Sequence, residues 1–357
     1  MFGAAFAVIL TLFLVVGLHE LGHALAAWSC GIKIKRVAIG FGKPVIQWTT
    51  SSGCEWVVGV WLLGGYVRLD DTRNGLVPAE DKASCFDQKP TRIKLMVLLA
   101  GVAINGLVAW FALIGVYYWG LPYRAPEVAL VQPGSVAAYA GLRAQDQFIA
   151  VNAKKTRSWE EVGQSLLLSW GEKTIPVVIR TSDGAVKTRV LNLKKASLLP
   201  AHSLLASLGI SPDKKAPVLL FHSPSLRAAI QDGSDALVHL SYFYLMLLKQ
   251  LLWHDLPWSF LLGPWGLFVL SIQSFSEGLS IFAYFIAELS LVVALLNVLP
   301  VPGLDGGAIV YALLEKIRGR PISIAWEILL YRFTLIALFL LLVQLLKNDW
   351  MRLYLMS

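Results

Sequence analysis

The chain has 357 residues, of which 56% are hydrophobic and only 15% are charged, and its mean hydropathy is +0.63. This composition excludes an ordinary soluble globular protein and predicts a membrane protein. The formal net charge of +8 could suit a nucleic acid, but no basic helix or RNA-binding motif accompanies it, so we expect no nucleic-acid partner.

Four apolar stretches reach the length of about 20 residues that a helix needs to cross a bilayer. They are Phe2–Trp28, Ile93–Trp119, Ile281–Leu299 and Ile324–Leu346. A fifth stretch, Leu237–Trp253, is apolar but short, and it carries His239, Lys249 and Gln250. We therefore expect an interfacial or groove-packed helix there instead of a span.

The first apolar stretch contains the pentad His19-Glu20-Leu21-Gly22-His23, with no charged residue before it. Two histidines at i and i+4 lie on one helix face, where both can bind one Zn²⁺, and the glutamate beside them can accept a proton from water. Ionisable groups inside a span are costly and usually functional, so a chance occurrence is the weaker interpretation. A cleaved signal peptide is also disfavoured, because no basic residue precedes the apolar run.

Two short segments between predicted spans, residues 33–89 and residues 316–320, carry eight and three basic residues, and no basic residue precedes the first span. The positive-inside rule predicts that both segments are cytoplasmic, so that the termini and the long region 120–280 lie outside. Cys30, Cys54 and Cys85 all fall between the first two predicted spans, in the segment expected to be cytoplasmic, without a metal-binding spacing. We expect them to be reduced thiols and not zinc ligands.

Residues 40–67 have the pattern of a β-hairpin. Val45–Thr50 and Glu55–Trp61 are rich in β-branched and aromatic residues and are separated by Ser51-Ser52-Gly53. Such a hairpin could enter the membrane and offer an edge to a substrate held as a strand, whereas an ordinary cytoplasmic hairpin is the alternative. Asn105 lies among small residues in the second span, where a packing role and a site role are both open.

Residues Pro126–Lys195 predict a small α+β module with short strands, a helix near Trp159–Ser169 and a turn at Asp183-Gly184. The order of its motifs resembles PDZ domains of bacterial membrane and periplasmic proteases, although Gln145-Asp146 replaces the usual Gly-Asp pair. The module could bind peptide or act only as a steric lid.

The end of the third span reads Asn297-Val298-Leu299-Pro300-Val301-Pro302-Gly303-Leu304-Asp305-Gly306-Gly307. The prolines break the helix, and the glycines allow close backbone approach. Two histidines and one carboxylate form a common catalytic zinc set, so Asp305 is the candidate third ligand. Its alternative role is to cap the helix that follows.

These motifs together resemble the site-2 protease family of intramembrane zinc metalloproteases. The resemblance rests on His19–His23, Gly40–Pro44, Gly64–Val67, the segment Asn297–Gly307 and Gly263-Pro264-Trp265-Gly266. The chain is most like the family's sigma-E-regulating bacterial members, but it has room for one PDZ domain where those carry two.

The resemblance implies that His19, His23 and Asp305 hold Zn²⁺, that Glu20 is the general base and acid, and that Asn297, Gly42 and Asn105 contact substrate. It implies cleavage of membrane-spanning substrates, such as anti-sigma factors or leftover signal peptides, in the bacterial cytoplasmic membrane. An upstream site-1 type protease would act first, and the outer module would filter substrates.

The expected fold class is a polytopic α-helical membrane protein with about four spans, a membrane-associated β-hairpin and one inserted PDZ-like domain. Its expected segments are 1–119 and 281–357 for the two halves of the protease core, 120–199 for the PDZ-like domain and 200–280 for an amphipathic helical segment. The rival hypotheses are a zinc-holding scaffold without proteolytic activity and a transporter. We find no internal repeat that would favour the transporter.

Overall fold

The computed structural model describes residues 2–51, 53–74, 78–196, 203–253 and 256–356. Ser52 of the predicted turn, residues 197–199 of the predicted module and residues 200–202, 254 and 255 of the next segment lie outside the described residues. Contacts divide the chain into two compact units, Met1–Gly115 with Leu270–Leu340 and Val116–Val269 with Leu341–Ser357.

The described part of the chain is mostly helical. Its helices are α1 (Phe2–Leu12), α2 (Leu18–Ser29), α3 (Thr91–Trp119), α4 (Val136–Tyr139), α5 (Trp159–Leu168), α6 (Leu204–Ser207), α7 (Leu226–Leu252), α8 (Pro264–Glu277), α9 (Leu279–Val298), α10 (Asp305–Arg318) and α11 (Ile324–Met356). A π-helical turn, Phe13–Gly17, joins α1 to α2 and ends two residues before His19. Such turns inside helices often accompany functional sites.

The strands form several small sheets. They are β1 (Ile34–Thr49), β2 (Glu55–Leu69), β3 (Leu121–Arg124), β4 (Val128–Val131), β5 (Gln147–Val151), β6 (Lys154–Lys155), β7 (Ile175–Arg180), β8 (Val186–Leu191), β9 (Ile210–Pro212) and β10 (Val218–Phe221).

Five helical segments are long and apolar enough to cross a membrane, judged by length and composition among the described residues. Four of them overlap the predicted spans, and the additional one is Trp258–Glu277, with a mean hydropathy of only 1.2. Its continuous α-helix, α8, has 14 residues. That gives a length of about 21 Å, which is shorter than the hydrocarbon core of about 30 Å.

The long helices expose much of their apolar surface. In α11 only 6% of the most apolar window is buried, and Phe333, Phe339 and Leu340 are more than half exposed. An apolar surface of this extent is unfavourable in water, whereas it is matched by lipid. The chain is therefore an integral membrane protein.

In the first unit, β1 and β2 form a sheet with several register shifts. Arg36–Ile39 pair on one side with Gly65–Arg68 and on the other side with Glu55–Val58, while Pro44–Thr49 pair with Glu55–Gly59. The chain bends at Gly40 and Gly42, whose φ values are 88° and 87°. Residues 41–49 are exposed and form the outer part of this sheet.

In the second unit, β6, β5, β7 and β8 form an antiparallel sheet in that order, and α5 packs on it. Gln145 has φ 67°, a left-handed conformation that glycine adopts with less strain. The buried cluster also includes Leu204, Ile210 and Phe243, which follow residue 199. The packing of this module therefore continues past the expected end of the PDZ-like domain.

Candidate metal centre

The two histidines of the pentad lie one helical turn apart on α2, and both side chains are buried. Their Nε2 atoms are 3.2 Å apart. The Nδ1 atom of His23 lies 2.8 Å from the carbonyl oxygen of Val97 in α3. An N–H at Nδ1 donates to that carbonyl, which leaves the lone pair of Nε2 free to bind a metal.

Asp305 is the first residue of α10. The chain reaches it through a turn in which Gly303 has φ 92°. Gly306 and Gly307 pack closely on the preceding loop. A Cβ atom on Gly306 would lie 2.3 Å from the carbonyl oxygen of Leu299, and one on Gly307 would lie 2.2 Å from that of Val301. The glycines therefore allow α10 to start directly under the loop, and this fixes the carboxylate of Asp305.

The Oδ2 atom of Asp305 lies 3.2 Å from the Nε2 atoms of both His19 and His23. The three atoms therefore form a nearly equilateral triangle with sides of 3.2 Å. Ligands at the usual distances from a tetrahedral Zn²⁺ are separated by about 3.3 Å. Three ligand atoms that face one another at these distances can share one cation, so the residues present fit a zinc ion.

Glycines of α2 and of α3 provide the space for this cluster. A Cβ atom on Gly101 would lie 2.3 Å from Nε2 of His23 and 2.8 Å from Cε1 of His19. A Cβ atom on Gly22 would lie 2.8 Å from the carbonyl oxygen of Ala100. The helices α2 and α3 therefore approach each other at backbone distance beside the imidazoles.

Glu20 is buried beside the three candidate ligands, and its carboxylate interacts electrostatically with His19, His23 and Asp305. The backbone N–H of Val67 in β2 donates a hydrogen bond to it. A Cβ atom on Gly65 would lie 2.8 Å from Cγ of Glu20. Strand β2 thus holds the carboxylate of Glu20 at the metal centre.

The other predicted site residues occupy different positions. Asn297 is half-buried in the last turn of α9, and Gly42 lies at the exposed bend of β1. Asn105 is completely buried in α3, where its backbone carbonyl accepts a hydrogen bond of 3.1 Å from the hydroxyl of Ser290. Among the described residues, its side-chain amide has no hydrogen-bond partner.

The positions of Val97, Gly101 and Gly65 at the site were not predicted. For Gly101 a sequence signal existed, because small residues surround Asn105 in the second span and permit close helix packing. For Gly65 the signal was its position in the Gly64–Val67 segment. The carbonyl of Val97 has no side-chain signal, because any residue supplies one.

The chain matches known proteins over most of its length. The profile of peptidase family M50 matches residues 7–341. The regulator of sigma E protease of Haemophilus influenzae is 28% identical, over 97% of this chain and 98% of that protein. A protein of Rickettsia conorii that is provisionally named a zinc metalloprotease is 27% identical over the same shares of the two chains.

The lengths of these alignments differ. The alignment with the Haemophilus protein spans 433 positions, and the alignment with the Rickettsia protein spans 365. The Haemophilus protein therefore carries segments that this chain lacks. Because the family profile covers far more than half of the sequence, the chain belongs to peptidase family M50, the site-2 protease family of membrane zinc metalloproteases.

Proposed function

We propose that this protease hydrolyses a peptide bond within or next to a transmembrane helix of another membrane protein, and that His19, His23, Asp305 and Glu20 are its active site. The observation that supports this most directly is the triangle of ligand atoms with sides of 3.2 Å at the end of an apolar helix. Ionisable side chains within a membrane span cost free energy, and where they occur they usually mark a functional site.

His19, His23 and Asp305 would hold the zinc ion. When it is bound, Zn²⁺ supplies Lewis acidity and lowers the pKa of a water molecule to about 7. The Glu20 carboxylate would accept the proton of the attacking water and then donate it to the leaving amine. The hydrogen bond from the backbone of Val67 would keep this carboxylate oriented during both transfers.

The substrate would be held in an extended conformation, because hydrolysis requires a carbonyl that is not shielded within a helix. The exposed segment 41–49 of β1 offers a strand to which a peptide can pair. Gly42 would allow close approach of the substrate backbone there. Asn297 is proposed to contact the substrate, and for Asn105, which is completely buried, we propose contact with the substrate only if the helices separate.

The PDZ-like module would act as a filter that refuses substrates with a bulky outer domain. Another protease would remove that domain first. Substrates such as anti-sigma factors agree with the name of the Haemophilus relative, and leftover signal peptides are a second substrate class. We further propose that the protein lies in a bacterial cytoplasmic membrane, with its active site toward the cytoplasm and with both termini and the module outside.

The substitution Glu20→Gln tests the proposed mechanism. Glutamine has nearly the same shape but cannot accept the proton, so we expect the purified variant to retain zinc and to lose cleavage of a single-span substrate. The assay would use reconstituted protein, with product ends mapped by mass. His23→Ala is the companion variant, which should lose both zinc and cleavage. Cleavage by Glu20→Gln at the original rate would refute the role of Glu20.

A further inference from the structure

A polar cavity of about 510 Å³ lies in the first unit, away from the metal centre. Its walls include Thr91, the first residue of α3, and Pro321, which precedes α11 by three residues. Both helices belong to candidate membrane spans. The cavity therefore lies where two spans begin, which is the level of the lipid headgroups.

The charged residues around this cavity are only partly paired with one another, and Arg73 also pairs with Asp71 and Glu327, which lie outside the lining. Arg73, Lys94, Lys316 and Arg320 line the cavity together with only two carboxylates, those of Asp87 and Glu315. Glu315 is shared, since it lies 3.1 Å from the ammonium of Lys94 and 3.6 Å from the guanidinium of Arg73. The negative charge of Glu315 is therefore already balanced by cations of the cavity wall.

Asp87 keeps its negative charge at the cavity. Burial alone would raise its pKa, but hydrogen bonds from the backbone N–H and hydroxyl of Thr72 and from the side-chain amide of Gln88 outweigh burial and hold the pKa below its ordinary value. The Asp87 carboxylate thus stays ionised and satisfied by its own neighbours. Within the described residues it forms no ion pair with a cation of the cavity.

Lys316 and Arg320 remain as uncompensated charges. Both are exposed at the end of α10, and within the described residues neither forms an ion pair. Two free cations in one cavity attract a doubly or singly charged oxyanion, and phosphate is the group whose geometry suits lysine and arginine. Basic pockets at this level between spans bind lipid headgroups in other membrane proteins.

We propose that this cavity binds the phosphate group of an anionic membrane lipid, with Lys316 and Arg320 as the residues that contact it. The cavity volume lies in the range of small-molecule sites and has room for a phosphoglycerol headgroup. The position at the start of two spans favours a lipid over free phosphate. This site is independent of the peptidase chemistry, because it requires only that α3 and α11 start at the membrane surface.

The experiment uses the full-length protein in lipid nanodiscs. Phosphatidylglycerol is titrated into nanodiscs of phosphatidylcholine, and lipid retained by the protein is counted by native mass spectrometry. The test variant is Lys316→Gln with Arg320→Gln. The matched control is Arg318→Gln with Arg332→Gln, which removes the same charge from exposed residues of the same unit that do not line the cavity.

The original protein and the control should retain phosphatidylglycerol, and the test variant should bind it about tenfold more weakly. Equal loss in the test variant and the control, or no preference for phosphatidylglycerol over phosphatidylcholine, would overturn the proposal. A parallel arm adds inorganic phosphate, and competition by it at physiological concentration would show that free phosphate is the ligand. Zinc content and thermal unfolding report whether each variant is folded.

Discussion

At residue 101 the metal centre has no room for a side chain, because an added methyl group would meet both imidazoles. We expect Gly101→Ala to displace His23 and His19 and to weaken zinc binding about 10- to 100-fold, the usual effect of disturbing groups that orient metal ligands. Competition with a chromophoric chelator measures this affinity directly. Peptidase activity should fall in parallel.

Gly106→Ala is the control for this substitution, since Gly106 lies on the same helix and a Cβ atom there would meet nothing within 4 Å. Replacing glycine by alanine in a helix interior usually stabilises it by up to about 1 kcal/mol. Zinc affinity should therefore be unchanged, and thermal stability should be equal or higher. Equal zinc loss in the two variants would contradict a steric role for position 101.

The identities of the ligand candidates follow from short motifs. His19, Glu20 and His23 lie within about one turn of the same helix. Asp305 stands out because a carboxylate at the end of an apolar span needs a partner. The groups that surround these four residues come from distant parts of the sequence. Val97 and Gly65 reach the site only through the packing of α3 and β2, and no pattern within either segment specifies which turn faces the histidines.

At the scale of elements, the end of α11 holds the start of α8. The Asp349 carboxylate accepts hydrogen bonds from the backbone N–H groups of Gly263, Trp265 and Gly266, at distances of 2.9 Å, 3.0 Å and 3.2 Å. Asp349 is buried, and a Cβ atom on Gly263 would lie 2.3 Å from its Oδ2 atom. This explains the segment Gly263–Gly266, because glycine is needed for the carboxylate to reach the helix N-terminus.

Asp349→Asn should destabilise this contact. The amide loses the negative charge that the helix N-terminus attracts, and its NH₂ group would face backbone donors. We expect a loss of about 1–3 kcal/mol and a lower Tm in detergent, measured by thermal unfolding. Lys347→Ala, on an exposed position of the same helix, should leave the Tm unchanged. Equal Tm values for both variants would contradict the role of Asp349.

The long apolar helices and several short strands within residues 126–195 could be predicted, whereas the short strands after residue 200 could not. The helices α3, α9 and α11 stand out from hydropathy alone, as do the paired segments of β1 and β2 from their composition. Strands β9 and β10 have three and four residues, and they pair with β4, about 80 residues earlier, and with β3, about 95 residues earlier. Such distant pairing leaves no periodic signal in the sequence.

For the whole molecule, the charge distribution predicts the orientation in the membrane. In a chain whose three cysteines are replaced by alanine, we introduce Lys82→Cys or Lys214→Cys, both at exposed positions. A maleimide that cannot cross membranes should label position 214 in intact spheroplasts and position 82 only after lysis. The reverse pattern would overturn the proposed orientation.

The hypothesis that the PDZ-like module filters substrates also concerns the whole molecule. The pairing of the strands at its edges decides which residues a deletion can remove. Removal of residues 126–195 alone would delete β4 and leave β9 without its partner. The paired strands β3 and β10 offer a better junction, because Arg124 faces Val218 across the pair. Deleting residues 125–217 and joining the strands with a short glycine-rich turn keeps this pair intact.

The deletion variant should cleave a substrate that still carries a folded outer domain, whereas the full chain should cleave only the trimmed substrate. Because α7 contributes Phe243 and Leu251 to the buried core of the deleted module, both would be replaced by serine to avoid an exposed apolar face. The same deletion with Glu20→Gln is the control, and it should cleave neither substrate. If the deletion variant retains zinc and cleaves the trimmed substrate but still refuses the untrimmed one, the module does not act as the filter.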